Sequence, residues 1–330
     1  MKKKALTSLL ISTTLIGAIT PSVFALDDLS VTNFAINRTN ERLVRDSKPI
    51  RFNTVECSQT FTIYGQTYRQ NIKKTGFQSF YNTQVAPNAH GERWKLCHGY
   101  VNSVSENTFT VVTDFFDLNG KMYHSNKNGN SSTGLTNIDG DLYFFNYDLN
   151  DPYAKKWWQT IDGNTYYFGD DFKAKKGFSL INGSTFYFDK YGHLQRGLQR
   201  INGRIYYLGG HDGRLITGWY SMGNNRYFFD VNQGGAAQTG WYYGDKAGVM
   251  HFDDNGVMSK GVTKVGDDYY VFTTNGRGLN AYKKYGWYTD KSTGKRYYFD
   301  VDNSGKAVRG KSKVIGGVVY TFNDDGSLKK

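Results

Sequence analysis

Residues 157–177 read WWQTIDGNTYYFGDDFKAKKG, and this stretch decides the fold. Trp157, Trp158 and Ile161 lead into Asp162-Gly163, then into the aromatic run Tyr166-Tyr167-Phe168 and a polar tail that ends at Gly177. Asp-Gly between two strand-like runs is a strong hairpin signal, because a type I′ turn needs positive φ at both central residues. The wording returns as GFSLINGSTFYFDKYGHLQR at 177–196 and as GLQRINGRIYYLGGHDGRLIT at 197–217. Working outward, units start at Asp114, Gly134, Trp157, Gly177, Gly197, Gly218, Gly240, Gly261, Gly286 and Gly310, ten units spaced 20 to 25 residues apart. An aliphatic residue recurs four places after the start, as Leu118, Ile138, Ile161, Ile181, Ile201, Val265 and Val314. One hairpin is marginal alone in water, so the period predicts hairpins stacked into an open solenoid.

Composition agrees with an all-β chain. Aromatics make up 16%, with 26 Tyr and 22 Phe, beside 38 Gly and only 4 Pro. Short strands and tight turns suit that mixture. A mean hydropathy of −0.59 places much aromatic surface near solvent rather than in one deep core. Residues 1–25 read as a secretory signal: Lys2, Lys3 and Lys4, an apolar centre from Ala5 to Thr20, and a small-residue cleavage site at Val23-Phe24-Ala25. No later segment is long and apolar enough to span a bilayer as a helix. Removing the leader's three lysines leaves 38 basic against 29 acidic residues, a net charge of +9. Such a surface favours anionic partners such as teichoic or lipoteichoic acid phosphates. Export, and Lys and Arg scattered through every unit, weigh against nucleic acid.

Two kinds of unit occur. Short ones carry Leu135, Phe178, Leu198 or Val262 after the first Gly, whereas three carry Trp-Tyr: Trp219-Tyr220, Trp241-Tyr242 and Trp287-Tyr288. If Trp served packing alone, every unit should accept it. The three therefore mark ligand-bearing positions, set against the plainer reading of larger hydrophobic plugs.

These units resemble the cell-wall-binding repeats of Gram-positive surface proteins, a family that includes choline-binding repeats, glucan-binding repeats and the receptor-binding repeats of clostridial toxins. The resemblance covers residues 114–330 and implies a solenoid of hairpins with aromatic ligand sites between neighbours. Choline-binding members typically read Gly-Trp and then Trp-Tyr-Tyr, giving a cage for a quaternary ammonium. The first Trp carries over onto Trp219, Trp241 and Trp287, and more loosely onto Trp158. The second does not: Thr165, Thr185, Ile205, Arg226 and Arg296 stand in its place. An Arg in a cage meant for a cation is repulsive, so the expected ligand is a cell-wall polysaccharide, teichoic acid or other glycan ahead of choline. Tyr227, Tyr243 and Tyr297 are the expected partners of the Trp residues, with inter-hairpin packing as their alternative role.

Residues 26–113 show no repeat. Strand-like alternation in QTFTIYGQTYRQ, GYVNSV and NTFTVVTDFF predicts a small β-rich domain of unknown role, with 40–46 its only helix-like stretch and 87–91 an exposed loop. Cys57 and Cys97 are the only cysteines, and in an exported chain they are expected to form one disulfide. It would close a loop of about 40 residues, worth on the order of 3–4 kcal/mol.

Catalysis would have to use Cys57, Cys97, His90, His98, Asp46, Glu56 or Glu92. Adjacent Cys97 and His98 would point to opposite faces of a strand, so only His90 could reach Cys97 through the loop. Glu56 and Glu92 are the one conceivable acid–base pair. No residues have metal-ligand spacing, and the stretch from Asp300 to Gly305 lacks the acidic twelfth position of a calcium loop, where Lys311 stands. The expectation is therefore a non-enzymatic, cofactor-free, secreted surface protein that binds the wall through its repeats and displays residues 26–113 as an adhesin or binding module. Its rivals are a wall hydrolase with the same anchor and a secreted lectin for host glycans.

Overall fold

The computed structural model describes residues 52–63, 66–87, 93, 95–245, 248–274 and 280–329. All the described residues fall in one compact unit, Ile50–Lys330. The leader at 1–25, the stretch 40–46, the loop residues 88–91 with His90, and Glu92 lie outside the described residues.

Among the described residues the chain is all β, relieved by two 3₁₀ turns at Val231–Gln233 and Val301–Asn303. It begins with β1 (Asn53–Ser58), β2 (Thr60–Ile63), β3 (Gln66–Arg69), β4 (Gly76–Asn82), β5 (Lys95–Val104), β6 (Thr108–Leu118) and β7 (Lys121–Ser125). One antiparallel sheet runs in the order β1-β6-β5-β4, while β2 and β3 form a separate hairpin. Its core is the cluster of Cys57, Phe80, Cys97, Val101, Phe109 and Val111, joined by Ile72 from the connection between β3 and β4. Strand β6 pairs with β5 and is long enough to serve two further partners. Residues up to Thr113 pair with β1, and Asp114, at φ 67°, begins the pairing with β7. The repeats therefore grow directly out of this sheet.

The expected Cys57–Cys97 disulfide is absent, and both thiols are free and buried. Sheet order supplies the reason. Cys57 lies on β1 opposite Phe109 of β6, and Cys97 lies on β5 opposite Phe80 of β4. β6 stands between β1 and β5, so the two cysteines lie on strands that are not neighbours in the sheet. The cysteines fill the core instead, and burial pushes the Cys57 thiol up to about 11 and raises that of Cys97 as well.

The hairpins take the form the sequence predicts. Their first and second strands are Gly134–Ile138 with Asp141–Phe145, Trp157–Ile161 with Asn164–Phe168, Gly177–Ile181 with Ser184–Phe188, and Gly197–Ile201 with Arg204–Leu208. At the turns, Asp162 and Gly163 have φ of 49° and 79°, and Asn182 and Gly183 have 48° and 78°. Positive φ at both positions is the type I′ geometry that Asp-Gly and Asn-Gly favour. Further hairpins pair Gly218–Met222 with Asn225–Asp230, Gly240–Asp245 with Gly248–Phe252, Gly261–Val265 with Asp268–Thr274, Gly286–Thr289 with Arg296–Asp300, and Ser312–Ile315 with Val318–Thr321.

In eight of the ten units the start stands opposite the last apolar residue of the second strand, as Gly177 opposite Phe188 and Gly218 opposite Phe229, whereas Asp114 faces Ser125 and Gly310 precedes its ladder. Those apolar residues, together with Phe322, form the spine: Phe145, Phe168, Phe188, Leu208, Phe229, Phe252, Phe272, Phe299 and Phe322 are all almost wholly buried. Fully burying one such ring contributes about 1.5–3 kcal/mol, which an isolated hairpin cannot collect. Backbone bonds tie neighbours together in the same rhythm. Leu194 N–H donates to the Thr165 carbonyl at 2.8 Å, Leu215 N–H to Thr185 at 2.8 Å, and Met258 N–H to Arg226 at 2.8 Å.

Candidate ligand-binding faces between hairpins

Strand alternation gives each hairpin two faces. In the third unit, Trp158 stands opposite Tyr167, so both rings lie on one face, while Tyr166 and Phe168 lie on the other. The next hairpin lays Phe186 and Phe188 against the Trp158 face, with ring centroids 5.0 and 5.9 Å away, and Tyr167 itself is 5.0 Å from Trp158. The same grouping recurs. Trp219 meets Phe228 at 4.9 Å and Phe252 at 6.0 Å. Trp241 meets His251 at 5.1 Å, Tyr270 at 4.8 Å and Phe272 at 5.8 Å. Trp287 meets Tyr298 at 5.2 Å, Tyr320 at 4.8 Å and Phe322 at 6.1 Å. Each Trp thus packs edge or corner on aromatic rings from two hairpins and keeps part of its surface free.

Alternation also sorts the tyrosines expected to join them. Tyr227 and Tyr297 are buried on the opposite faces, stacked on Phe229 at 5.7 Å and on Phe299 at 6.1 Å, and they belong to the spine. Tyr243 is 72% exposed. The rings that do accompany the Trp residues, such as Tyr167, Phe186 and Tyr320, come from the register and from the next unit along. Period-two reading of the second strand would have found the first of these. The rest depend on how hairpins stack.

Electrostatics divides the four Trp positions. The Arg226 guanidinium lies over Trp219, 4.8 Å from the ring centroid, held by Nε to Asn280 Oδ1 at 2.7 Å and Nη1 to Ser221 Oγ at 3.1 Å. Arg296 lies over Trp287 at 4.0 Å. Lys283 Nζ stands 5.3 Å from Trp241 and 5.9 Å from Tyr270, and donates to the Ser304 carbonyl at 3.0 Å. Among the described residues none of these three cations has a carboxylate partner. His251 beside Trp241 adds no further charge at neutral pH, since burial pulls its imidazole below the usual range and Nδ1 pairs with Ser259 Oγ at 2.8 Å.

Trp158 differs. Thr165 occupies the place of Arg226 and Arg296, and among the described residues no Lys or Arg lies over its ring. Arg196 reaches Thr165 Oγ1 at 3.3 Å but is also drawn to the His211 carbonyl at 3.2 Å. Trp158 is 38% exposed, and its neighbour Trp157 is 49% exposed at φ 65°, where most other unit starts have Gly. A bulky side chain in the left-handed region costs about 1–3 kcal/mol, and such strain gathers at functional sites.

Among the described residues, the groups considered for catalysis do not assemble. Cys97 points into the core, whereas the His98 ring lies on the other face, with Nε2 donating to the Leu149 carbonyl at 2.9 Å and Nδ1 beside Ser79 Oγ at 3.1 Å. Glu56 is exposed on β1. The Asp300 carboxylate caps the turn Val301–Asn303 and receives Lys313 Nζ at 2.6 Å, so this stretch is a closed turn. Among the described residues no three His, Cys, Asp or Glu side chains gather as a metal site.

Geometry defines a β-hairpin repeat protein with aromatic faces between repeats. Residues 154–195 match the family model of the choline-binding repeat, a span that contains the hairpins on both sides of Trp158. Residues 154–195 therefore carry a repeat of the choline-binding type. Among solved structures it is similar to CbpJ of Streptococcus pneumoniae, with 20% identity over 82% of this chain and 100% of that one, at a TM-score of 0.44. Choline binding protein F of the same organism, determined with a peptidoglycan analogue, shows 22% identity over 83% of this chain and 93% of that one, at 0.42. The modular autolysin LytC of S. pneumoniae shows 16% identity over 63% of this chain and 50% of that one, at 0.28. No curated protein matches the chain.

Proposed function

We propose that this is an exported surface protein, with residues 1–25 as its leader, that attaches non-covalently to a Gram-positive cell wall through its repeats. Residues 26–113 are then the displayed part, a binding or adhesin module, and residues 114–330 the anchor. The observation that carries this reading is the exposed Trp158 platform between two hairpins that match the choline-binding repeat model. The ligand is a teichoic acid or wall glycan bearing an ammonium substituent, and choline is restored as a candidate. Repulsion by Arg applies at Trp219 and Trp287, where the guanidinium is present, and not at Trp158, where Thr165 replaces it. Each cation–π contact contributes about 0.5–2 kcal/mol.

Retention of the purified protein on isolated Gram-positive walls, with and without choline chloride as competitor, tests the proposal. Retention that choline releases supports it. Passage through the walls, with retention on an array of host glycans, would make the protein a lectin instead.

A further inference from the structure

We propose that Arg226, Lys283 and Arg296 are built-in cations that close the Trp219, Trp241 and Trp287 faces to ammonium ligands, leaving Trp158, of these four Trp platforms, as the one able to accept such a ligand. The inference rests on the function proposed above and concerns which repeats can act.

Superposing the units by register makes the comparison direct. Trp287 and Trp158 have the same surroundings: a Tyr opposite on their own hairpin, then two rings from the next, at nearly the same separations. They differ at the residue two places before that Tyr, which shares its face. It is Arg296 in one unit and Thr165 in the other. A guanidinium stacks well on an indole face. Arg296 thereby occupies the surface an ammonium would use and repels any second cation brought to it. Arg226 repeats the arrangement at Trp219. At Trp241 the corresponding residue is Val249, and the cation comes instead from Lys283, beyond the end of the next hairpin's second strand. Three units therefore reach the same result from two different positions in the repeat. A structural role in solvating surface charge does not explain why all three of these cations sit on Trp rings without a carboxylate among the described residues.

Two further observations single out the remaining platform. Trp158 is more exposed than the other three, and the adjoining Trp157 places a bulky side chain at the left-handed unit start, where eight of the other nine units have Gly. Arg196 is the cation to account for there. Its contacts with Thr165 and the His211 carbonyl keep it off the Trp158 ring.

Exchange of the two residues tests the inference in the full chain. Thr165→Arg installs at Trp158 the residue that two other units already accommodate, and Arg296→Thr removes an exposed side chain, so both variants preserve the spine. Choline chloride is titrated against each by calorimetry and by tryptophan fluorescence, alongside wall retention. The wild type should bind choline, Thr165→Arg should bind at least tenfold more weakly, and Arg296→Thr should gain a second site. Undiminished binding by Thr165→Arg, or no added site in Arg296→Thr, overturns the inference. Wall retention by a wild type that binds no choline would also overturn it while leaving wall attachment standing. Failure to bind either walls or choline would remove both.

Discussion

Replacing Phe188 tests whether the spine both holds the solenoid and seats the candidate site. Phe188 is wholly buried opposite Gly177, bridges to Leu194, and supports Trp158 from 5.9 Å away. Phe188→Ala removes a whole ring from a place the backbone cannot close, because the strand on that side is fixed by its ladder to residues 177–181. Such truncations cost about 3–5 kcal/mol. Phe188→Leu provides the internal control, since Leu208 fills the same place in the next unit with no exposure. Its cost should be about 1 kcal/mol, that of a modest change in core shape. Urea unfolding followed by tryptophan emission measures both, and hydrogen exchange locates the loss. In a repeat array, damage falls mainly on a unit and its neighbours, so protection should drop in the hairpins at 157–168 and 177–188 first. Trp158 emission should shift to the red in Phe188→Ala and stay unchanged in Phe188→Leu. Equal costs for the two variants, or a loss below about 1 kcal/mol for Ala, would refute the argument that these rings carry the stacking.

Two further predictions concern titrating groups. Native protein should be unreactive to a thiol reagent at pH 8, because Cys57 and Cys97 are buried and burial raises both thiols, whereas in guanidinium both should react; zero thiols in the unfolded chain would restore the disulfide. Asp325 is held down to about 2 by the Lys295 ammonium and by Ser327, so its contribution is complete above the ordinary carboxylate range and is lost as pH falls toward 2. Hydrogen exchange in the hairpin at 312–321 between pH 5 and pH 2 should show that loss, and Asp325→Asn should remove the pH dependence that Asp325 contributes.

What could be read in the sequence was local. Asp162-Gly163, Asn182-Gly183 and Asn202-Gly203 specify their turns through backbone preferences of the residues themselves, and all adopt positive φ. The spacing of these turns then gives the strands, the spine and the stacking. The disulfide failed because it depended on strand order: β6 is placed between β1 and β5 by long-range pairing, and nothing near Cys57 or Cys97 records that. Tyr227 and Tyr297 failed as partners of Trp for a reason within reach. In NRYFF, Tyr227 shares its face with Phe229, whereas Arg226 and Phe228 share the face of Trp219. Lys283 over Trp241 left no sequence signal, because it lies 42 positions away in a strand beyond the next hairpin.

The same two-faced geometry explains how one repeat can be tuned without disturbing the array. Spine residues such as Phe188 and Phe229 lie on the face that covers the preceding unit, and the ladder with the unit's own first strand fixes them there. The residue before the aromatic pair lies on the other face, beside the Trp, and contributes little to the core: Thr165 is half-buried, Arg226 is half-buried and Arg296 is exposed. Changing it costs little stability, yet a like charge 4–5 Å from a bound ammonium opposes binding by about 1–4 kcal/mol, depending on how far water screens the pair. That is comparable to everything a single cation–π contact contributes. For the ammonium ligand proposed here, a substitution nearly neutral for folding would thus be decisive for binding, which would let a solenoid lengthen by duplicated hairpins while only some of them recognise the ligand.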